Sequence, residues 1–403
     1  MKTITTDFLI IGGGIIGITI ALELKQRFPD QTITLIEKEP ECGLHASSRN
    51  SGVLHAGFYY TANSLKAQLT RTGNQQLTQY CLQKNLSLKP CGKLVVARHE
   101  AELAVLDELL LRAKTNNVEL HDITATDAQK IEPCVKTHQR ALYSPTTASV
   151  NPKQVMQSLV ADAIANGIHI QTNTQYLKKS GNNITTNQGT IASGYVINAA
   201  GLYADKVAHQ YGFGLNYRIL PFKGLYLSSQ QKTLQLNTHI YPVPNLEQPF
   251  LGVHFTLTAT GQLKIGPTAI PALWREQYQG LKRLNLPQIW QTLSLSTTLF
   301  IDNKNHFRQL ASSELKKYKQ SYLINAASQL VQNLDLRSFQ QWGTPGIRAQ
   351  LINTDNSQLE MDFVIKGDHQ SFHVLNAVSP AFTCAMPFAT YCVDHIILFT
   401  STV

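Results

Sequence analysis

Three glycines, one acid and a short polar loop carry the first readable chemistry of this 403-residue chain. Gly12, Gly14 and Gly17 fit G-x-G-x-x-G directly after the apolar run Asp7 to Ile11 and directly before an apolar stretch of helical character. In that setting the first glycine permits a tight turn, the second lets the backbone approach a pyrophosphate, and the third lets helix and strand pack closely. Ile15 and Ile16 then open a helix whose N-terminal N–H groups and positive dipole end face the phosphates. Glu37 follows Gly17 by twenty positions and ends the next strand, with Lys38 beside it. A carboxylate there accepts hydrogen bonds from a ribose 2′-OH. The loop from His45 to Gly52 follows, in which Ser47, Ser48, Arg49, Asn50, Ser51 and Gly52 bring hydroxyls, an amide and a guanidinium suited to a second phosphate or a flavin ring edge. NAD and FAD both use such a unit, and the acid disfavours only NADP. The chain has no second G-x-G-x-x-G, so one tightly held dinucleotide is the economical reading.

The elements that must position these groups alternate in type. Asp7–Ile11 reads as a buried strand, Ile15–Phe28 as a helix and Thr32–Glu37 as a second strand, a βαβ opening. Ser64–Lys84 reads as a long helix with Leu65, Leu69, Leu77 and Tyr80 on one face, Leu94–Ala97 as a strand, and Glu100–Lys114 as a leucine-rich helix. Asn151 caps and Pro152 opens a helix that Gly167 ends. Tyr195–Ala199 is a strand that breaks at Gly201, and the alternating, aromatic, proline-punctuated tract from Leu215 to Ile270 predicts an antiparallel sheet. Polar, helix-leaning sequence fills Ile289 to Gln340. A strand at Phe372–Asn376 precedes a closing helix after Pro380.

Bulk properties narrow the classes. The length suits two domains, and 43% apolar with 15% charged residues describes a globular chain. The formal charge of +9 admits nucleic acid, an anionic membrane or an acidic small substrate, yet no Lys/Arg block exceeds a pair and no basic cluster interleaves with aromatics, which excludes nucleic acid. Six cysteines without C-x-x-C predict free thiols in a reducing cytoplasm. The apolar stretch Phe8 to Leu22 is too short to cross a bilayer, so any contact with the membrane is expected to be peripheral, at its inner surface.

The segment Arg49 to Tyr60, followed by Ser64-Leu65-Lys66-Ala67, closely resembles the region after the nucleotide fold in L-2-hydroxyglutarate oxidases and dehydrogenases, within the D-amino-acid-oxidase-like group of FAD enzymes. The resemblance recurs at Pro90–Leu94, Asn198–Asp205, Pro221–Gly224, Ile240–Pro244, Phe250–Thr256, Gly346–Gln350 and Asn376–Ala381. It departs at Lys223, where the group has arginine and a bidentate contact would become a point charge, at Thr268, where Asn is more usual, and over Asp302 to Gln340.

The resemblance implies FAD as cofactor and an α/β fold. Its Rossmann-type FAD-binding domain is discontinuous (1–84, 150–214 and 341–403), and its substrate domain (85–149 and 215–340) carries a mixed or antiparallel sheet. It also implies that Ala200 and Gly201 form a second FAD-contacting segment, and that Pro380 and Ala381 start a helix facing the flavin. Arg348 becomes the clamp for a substrate carboxylate, since a planar guanidinium suits a bidentate contact. His55 and His254 are alternative general bases, because imidazole titrates near the working pH; Tyr241 and Lys223 are candidates for a distal carboxylate or for polarising the hydroxyl. The implied reaction is oxidation of a small dicarboxylate, L-2-hydroxyglutarate, to 2-oxoglutarate, with oxygen or a quinone-type carrier as final acceptor. The rivals are an amine or amino-acid oxidase of the same group and a flavoprotein that binds without catalysis.

Overall fold

The computed structural model describes residues 4–229, 236–246 and 251–401, and the chain divides into two compact units. The first comprises residues 1–49, 152–220 and 349–403, the second 50–151 and 221–348.

The first unit is a Rossmann-type layer structure. Strand Ile4–Ile11 runs parallel to Ile33–Ile36 on one side and to Gly189–Asn198 on the other. His169–Gln171 extends the sheet beyond Ile33–Ile36, and Ser371–Asn376 extends it beyond Gly189–Asn198, both in parallel. Strands buried on both faces read as continuous apolar runs, as Leu9, Ile10, Ile11 and Ile33, Leu35, Ile36 do. The antiparallel hairpin of Tyr176–Ser180 with Asn183–Thr186 sits outside the Gly189–Asn198 strand. Helix Ile15–Arg27 packs on the closing helix Ala381–Ser401, where the Thr19 hydroxyl donates to the Ala385 carbonyl. That closing helix is long and apolar enough to span a bilayer, but its face from Ala381 to Ile396 is core of this unit.

The second unit is built on an eight-stranded mixed sheet. Its order is Phe339–Trp342, Leu227–Ser229, Leu263–Gly266, His254–Leu257, His239–Pro242, Lys93–Val96, Arg140–Ser144 and His121–Thr124. The antiparallel sheet expected for 215–270 is therefore largely present, with one exception: His239–Pro242 runs parallel to Lys93–Val96, a strand far away in sequence. Alternation gives the sheet two different faces. Leu94, Val96, Ile240, Phe255, Leu257, Leu263 and Ile265 point into one apolar core, shared with Leu323, Ala327 and Phe339. The opposite face carries Lys93, His239, Tyr241, His254 and Thr256, all buried.

Residues 50–84, expected in the nucleotide domain, belong to the second unit. Val53–Leu54 pairs with Ala148–Val150, which in turn pairs with Leu88–Lys89, and this small sheet ties the helix Leu65–Gln83 to its neighbours. In the helix-leaning tract the helices are Leu286–Asp302, Phe307–Lys316 and Gln320–Ser328.

Candidate active site

At the end of Ile4–Ile11 the chain turns at Gly12, with φ +112°. A Cβ there would meet the Ala199 carbonyl oxygen at 2.5 Å, and one at Gly17 would meet the Gly12 oxygen at 2.0 Å. Both positions therefore require glycine, for the turn and for helix-on-strand packing. Gly14 has no side chain with which to cap the helix beginning at Ile15, and the Ser47 hydroxyl accepts from the Ile15 N–H at 2.9 Å. Glu37 is buried, with its carboxylate oriented by the Gly13 N–H (2.8 Å) and the Glu39 N–H (2.9 Å). The turn, the helix start and the acid thus form one constellation whose donors and carboxylate suit a dinucleotide.

The other predicted cofactor residues of the first unit fall as follows. The Lys38 ammonium lies 4.7 Å from the Tyr203 ring and 3.5 Å from Glu39. The Ser48 N–H donates to the Gly43 carbonyl, and Arg49 Nε to the Leu44 carbonyl at 2.7 Å, so this loop is held by its own backbone. Ala200 donates its N–H to Asn198, and Gly201 has φ +53°, allowing the strand Gly189–Asn198 to turn sharply. The Pro380 carbonyl accepts from the Cys384 N–H, and Ala381 begins the closing helix. Asn50, Ser51 and Gly52 lie in the second unit, where Asn50 Oδ1 accepts from the Gly52 N–H at 2.8 Å.

Within the second unit, the structure brings His55, His254, Tyr241 and Arg348 into one electrostatic neighbourhood. His254 Nδ1 lies 2.7 Å from the Gly252 carbonyl oxygen. A carbonyl only accepts, so neutral His254 carries its proton on Nδ1 and presents its lone pair at Nε2. Its ring stacks on Tyr241 with centroids 3.7 Å apart and planes 15° apart, and Tyr226 meets it edge-on. Burial, with Lys93, His239 and Lys317 adding to it and the Gly252 bond opposing it, holds this imidazole well below its usual range. His55 is also held well below that range, by burial and then by Lys93, His239 and Arg348. Burial raises the Tyr241 phenol well above the ordinary value. Arg348 is half-buried in the strand Gly346–Asn353, and its charge also acts on the phenol of the half-buried Tyr226.

Lys223 lies on the strand Tyr217–Gly224, the neighbour of the strand Gly346–Asn353 that carries Arg348. It is half-buried, pairs through its backbone with Ile270, and accepts at its carbonyl from the Thr268 hydroxyl at 3.1 Å. That hydroxyl also accepts from the Leu225 N–H, so Thr268 ties the strand to its turn. Phe250, first residue of one matched block, lies outside the described residues.

Two members of the cluster were not singled out from sequence. His239 is fully buried and accepts at Nδ1 from the Leu257 N–H at 3.1 Å, which places its proton on Nε2, near Ser149 Oγ and Cys91 Sγ, each at 3.3 Å. With both nitrogens engaged and its pKa pulled down to about 3 by burial, it is a structural histidine. Lys93, opposite His239 in the parallel pair, is also fully buried. The signal for His239 was its spacing by two from Tyr241 in His239-Ile240-Tyr241, and for Lys93 a single charge opening the apolar strand Leu94-Val95-Val96.

Comparison with known proteins agrees with this architecture. Residues 7–394 match the family described as FAD dependent oxidoreductase. An L-2-hydroxyglutarate dehydrogenase of Escherichia coli is 33% identical, with 97% of this chain and 93% of that protein covered. The mitochondrial L-2-hydroxyglutarate dehydrogenase of Homo sapiens is 32% identical, covering 98% and 89%. Among solved structures, L-alpha-glycerophosphate oxidase from Mycoplasma pneumoniae with FAD bound superposes with a TM-score of 0.78 at 23% identity, over 98% of this chain and 95% of that one. Because the sequence match runs nearly end to end and includes the glycine turn and its acid, the chain belongs to the FAD-dependent oxidoreductase family.

Proposed function

We propose that this protein oxidises L-2-hydroxyglutarate to 2-oxoglutarate, with His254 as general base and Arg348 as clamp for the C1 carboxylate. The observation that carries the base assignment is the Nδ1 contact of His254 with the Gly252 carbonyl, which leaves Nε2 as the proton acceptor. The substrate assignment is supported by full-length relatives that bear that enzyme's name. Stacking on Tyr241 fixes the plane of the imidazole, and burial keeps it neutral at pH 7, the form a base requires. Nε2 takes the C2 hydroxyl proton as the C2–H bond breaks, and the C2–O bond becomes a carbonyl. Bound FAD supplies the acceptor for the departing hydride. Gly12, Gly14, Gly17 and Glu37 would hold its pyrophosphate and ribose, with Ser47, Ser48, Arg49, Ala200, Gly201 and the helix start at Pro380 and Ala381 as further contacts.

The test is anaerobic mixing of the holoenzyme with L-2-hydroxyglutarate, its D enantiomer, glycine and sarcosine. Loss of the oxidised-flavin absorbance with the L-hydroxy acid alone is expected. Bleaching by an amine would move the protein to the amino-acid oxidases, and bleaching by none would remove the catalytic reading.

The reading extends to a cytoplasmic enzyme that meets the inner membrane surface and passes electrons to a quinone-type carrier. Its support is the helix Leu286–Asp302, which buries Gln288, Thr292 and Leu299 while Trp290 is 74% and Ile301 64% exposed, with Leu286, Leu293 and Phe300 exposed beside them. No charge occurs between Leu286 and Ile301, whereas Lys282, Arg283, Lys304 and Arg308 flank the helix. An apolar face with basic flanks suits an anionic lipid surface. Flotation with phosphatidylglycerol-containing vesicles is expected for the parent and lost on Trp290→Ser with Phe300→Ser. Equal flotation of both would refute the contact.

A further inference from the structure

The polar face of the second unit's sheet holds a cation to which the proposed reaction gives no part. Lys93 is 0% exposed, and among the described residues its Nζ has no hydrogen-bond partner. Around it are rings rather than acceptors: Tyr241 at 4.5 Å, Tyr59 at 5.1 Å and Phe58 at 5.5 Å. The titratable groups facing it are His239 and Tyr241 on the adjacent strand, His254 on the strand beyond, His55 and Tyr59 from the segment after Leu54, and Cys91. None is a carboxylate.

We propose that Lys93 receives the second carboxylate of a 2-hydroxy diacid and thereby selects diacids over monoacids. This rests on the hydroxy-acid reading of the His254 site. Aromatic faces attract an ammonium but accept none of its three N–H bonds, and burying such a group without an acceptor is unfavourable by several kcal/mol. A carboxylate arriving with the substrate provides both the acceptors and the opposite charge. Nζ lies 4.5 Å from the Tyr241 ring and His254 stacks on that ring with centroids 3.7 Å apart, so the ring stands between the ammonium and the base and a diacid joining them passes its edge. Lys223 and Lys264 are poorer choices because both are only half-buried and water reaches them.

The buried ammonium is also pulled down to about 7, chiefly by desolvation, so at pH 8 it is mostly neutral until an anion arrives. Binding a diacid at pH 8 is then coupled to net proton uptake at Lys93.

The experiment uses the holoenzyme. Glutarate, which has no C2 hydroxyl to oxidise, is titrated calorimetrically at pH 8 in two buffers of different ionisation heat. Net proton uptake by the parent, abolished in Lys93→Met, is expected. No glutarate binding, binding without uptake, or uptake that persists in the variant overturns the proposal. In anaerobic turnover, Lys93→Met is expected to lower the ratio of kcat/KM for L-2-hydroxyglutarate over L-2-hydroxybutyrate by about 100-fold, the scale of losing one desolvated charge pair. An unchanged ratio, with both substrates impaired alike, marks a structural lysine and overturns it. If the parent fails to oxidise L-2-hydroxyglutarate, the functional reading falls, while the glutarate titration still decides Lys93.

Discussion

Replacing His254 by asparagine separates the base from its scaffold. The asparagine side-chain N–H₂ can occupy the place of Nδ1 and keep the 2.7 Å bond to the Gly252 carbonyl, while the lone pair of Nε2 is lost. A positioned general base contributes about 10²- to 10⁴-fold, so the limiting rate of flavin reduction at saturating L-2-hydroxyglutarate should fall by at least about 100-fold. KM should move little, because Arg348 and Lys93 remain. Anaerobic stopped-flow absorbance of the flavin measures this directly, and the retained visible spectrum reports that FAD is still bound. The parent's pH profile supplies a second reading. The lowered imidazole pKa makes the reduction rate level from pH 8 down to 6.5 and lets it fall only below that, where protonation removes the lone pair. A variant that reduces its flavin within tenfold of the parent refutes the assignment. If His55→Asn shows the loss instead, the base is His55.

Arg348→Lys should raise KM for the hydroxy acid by about 10- to 100-fold, because a point charge replaces a planar fork, with flavin content unchanged in the purified protein. A KM within threefold of the parent would remove the clamp. Gly17→Ala should abolish FAD retention on gel filtration, since its Cβ would lie 2.0 Å from the Gly12 carbonyl oxygen and force the turn open; a yellow variant with full flavin content contradicts this. Acid should destabilise the second unit. His55, His239 and His254 stay neutral in the fold below the usual 6.5 but protonate in the unfolded chain, so the unfolded state binds more protons and stability falls with pH below about 6.5, by about 1.4 kcal/mol per pH unit for each. Thermal unfolding between pH 7 and 5 measures it, and a midpoint that does not fall would mean these groups titrate normally.

The parts of this protein that were legible in its sequence are those whose physics is local. Gly12, Gly17 and Glu37 declare themselves because a turn, a close approach and a strand-end acid must occur within one βαβ unit, and the structure joins them through contacts no more than 24 positions apart, apart from the Ala199 carbonyl. His55, His254 and Arg348 were found by resemblance, and their grouping was not visible. The grouping depends on strand Lys93–Val96 choosing His239–Pro242 as its parallel neighbour although Lys93 and His239 are 146 positions apart in the chain, a register that no local pattern encodes. Once that pairing is made, alternation does the rest: apolar residues at Leu94, Ile240 and Phe255 commit one face to a core, so Lys93, His239, Tyr241 and His254 must share the other. The assignment of residues 50–84 to the wrong unit has the same origin, since Val53–Leu54 is held by Ala148–Val150 rather than by anything near it in sequence. A buried polar row of this kind opposes stability, because each member must be desolvated in exchange for few hydrogen bonds. Its presence inside an otherwise apolar sheet is therefore best understood as a surface completed by an anionic ligand, which makes the lysine without an acceptor the most informative residue on it.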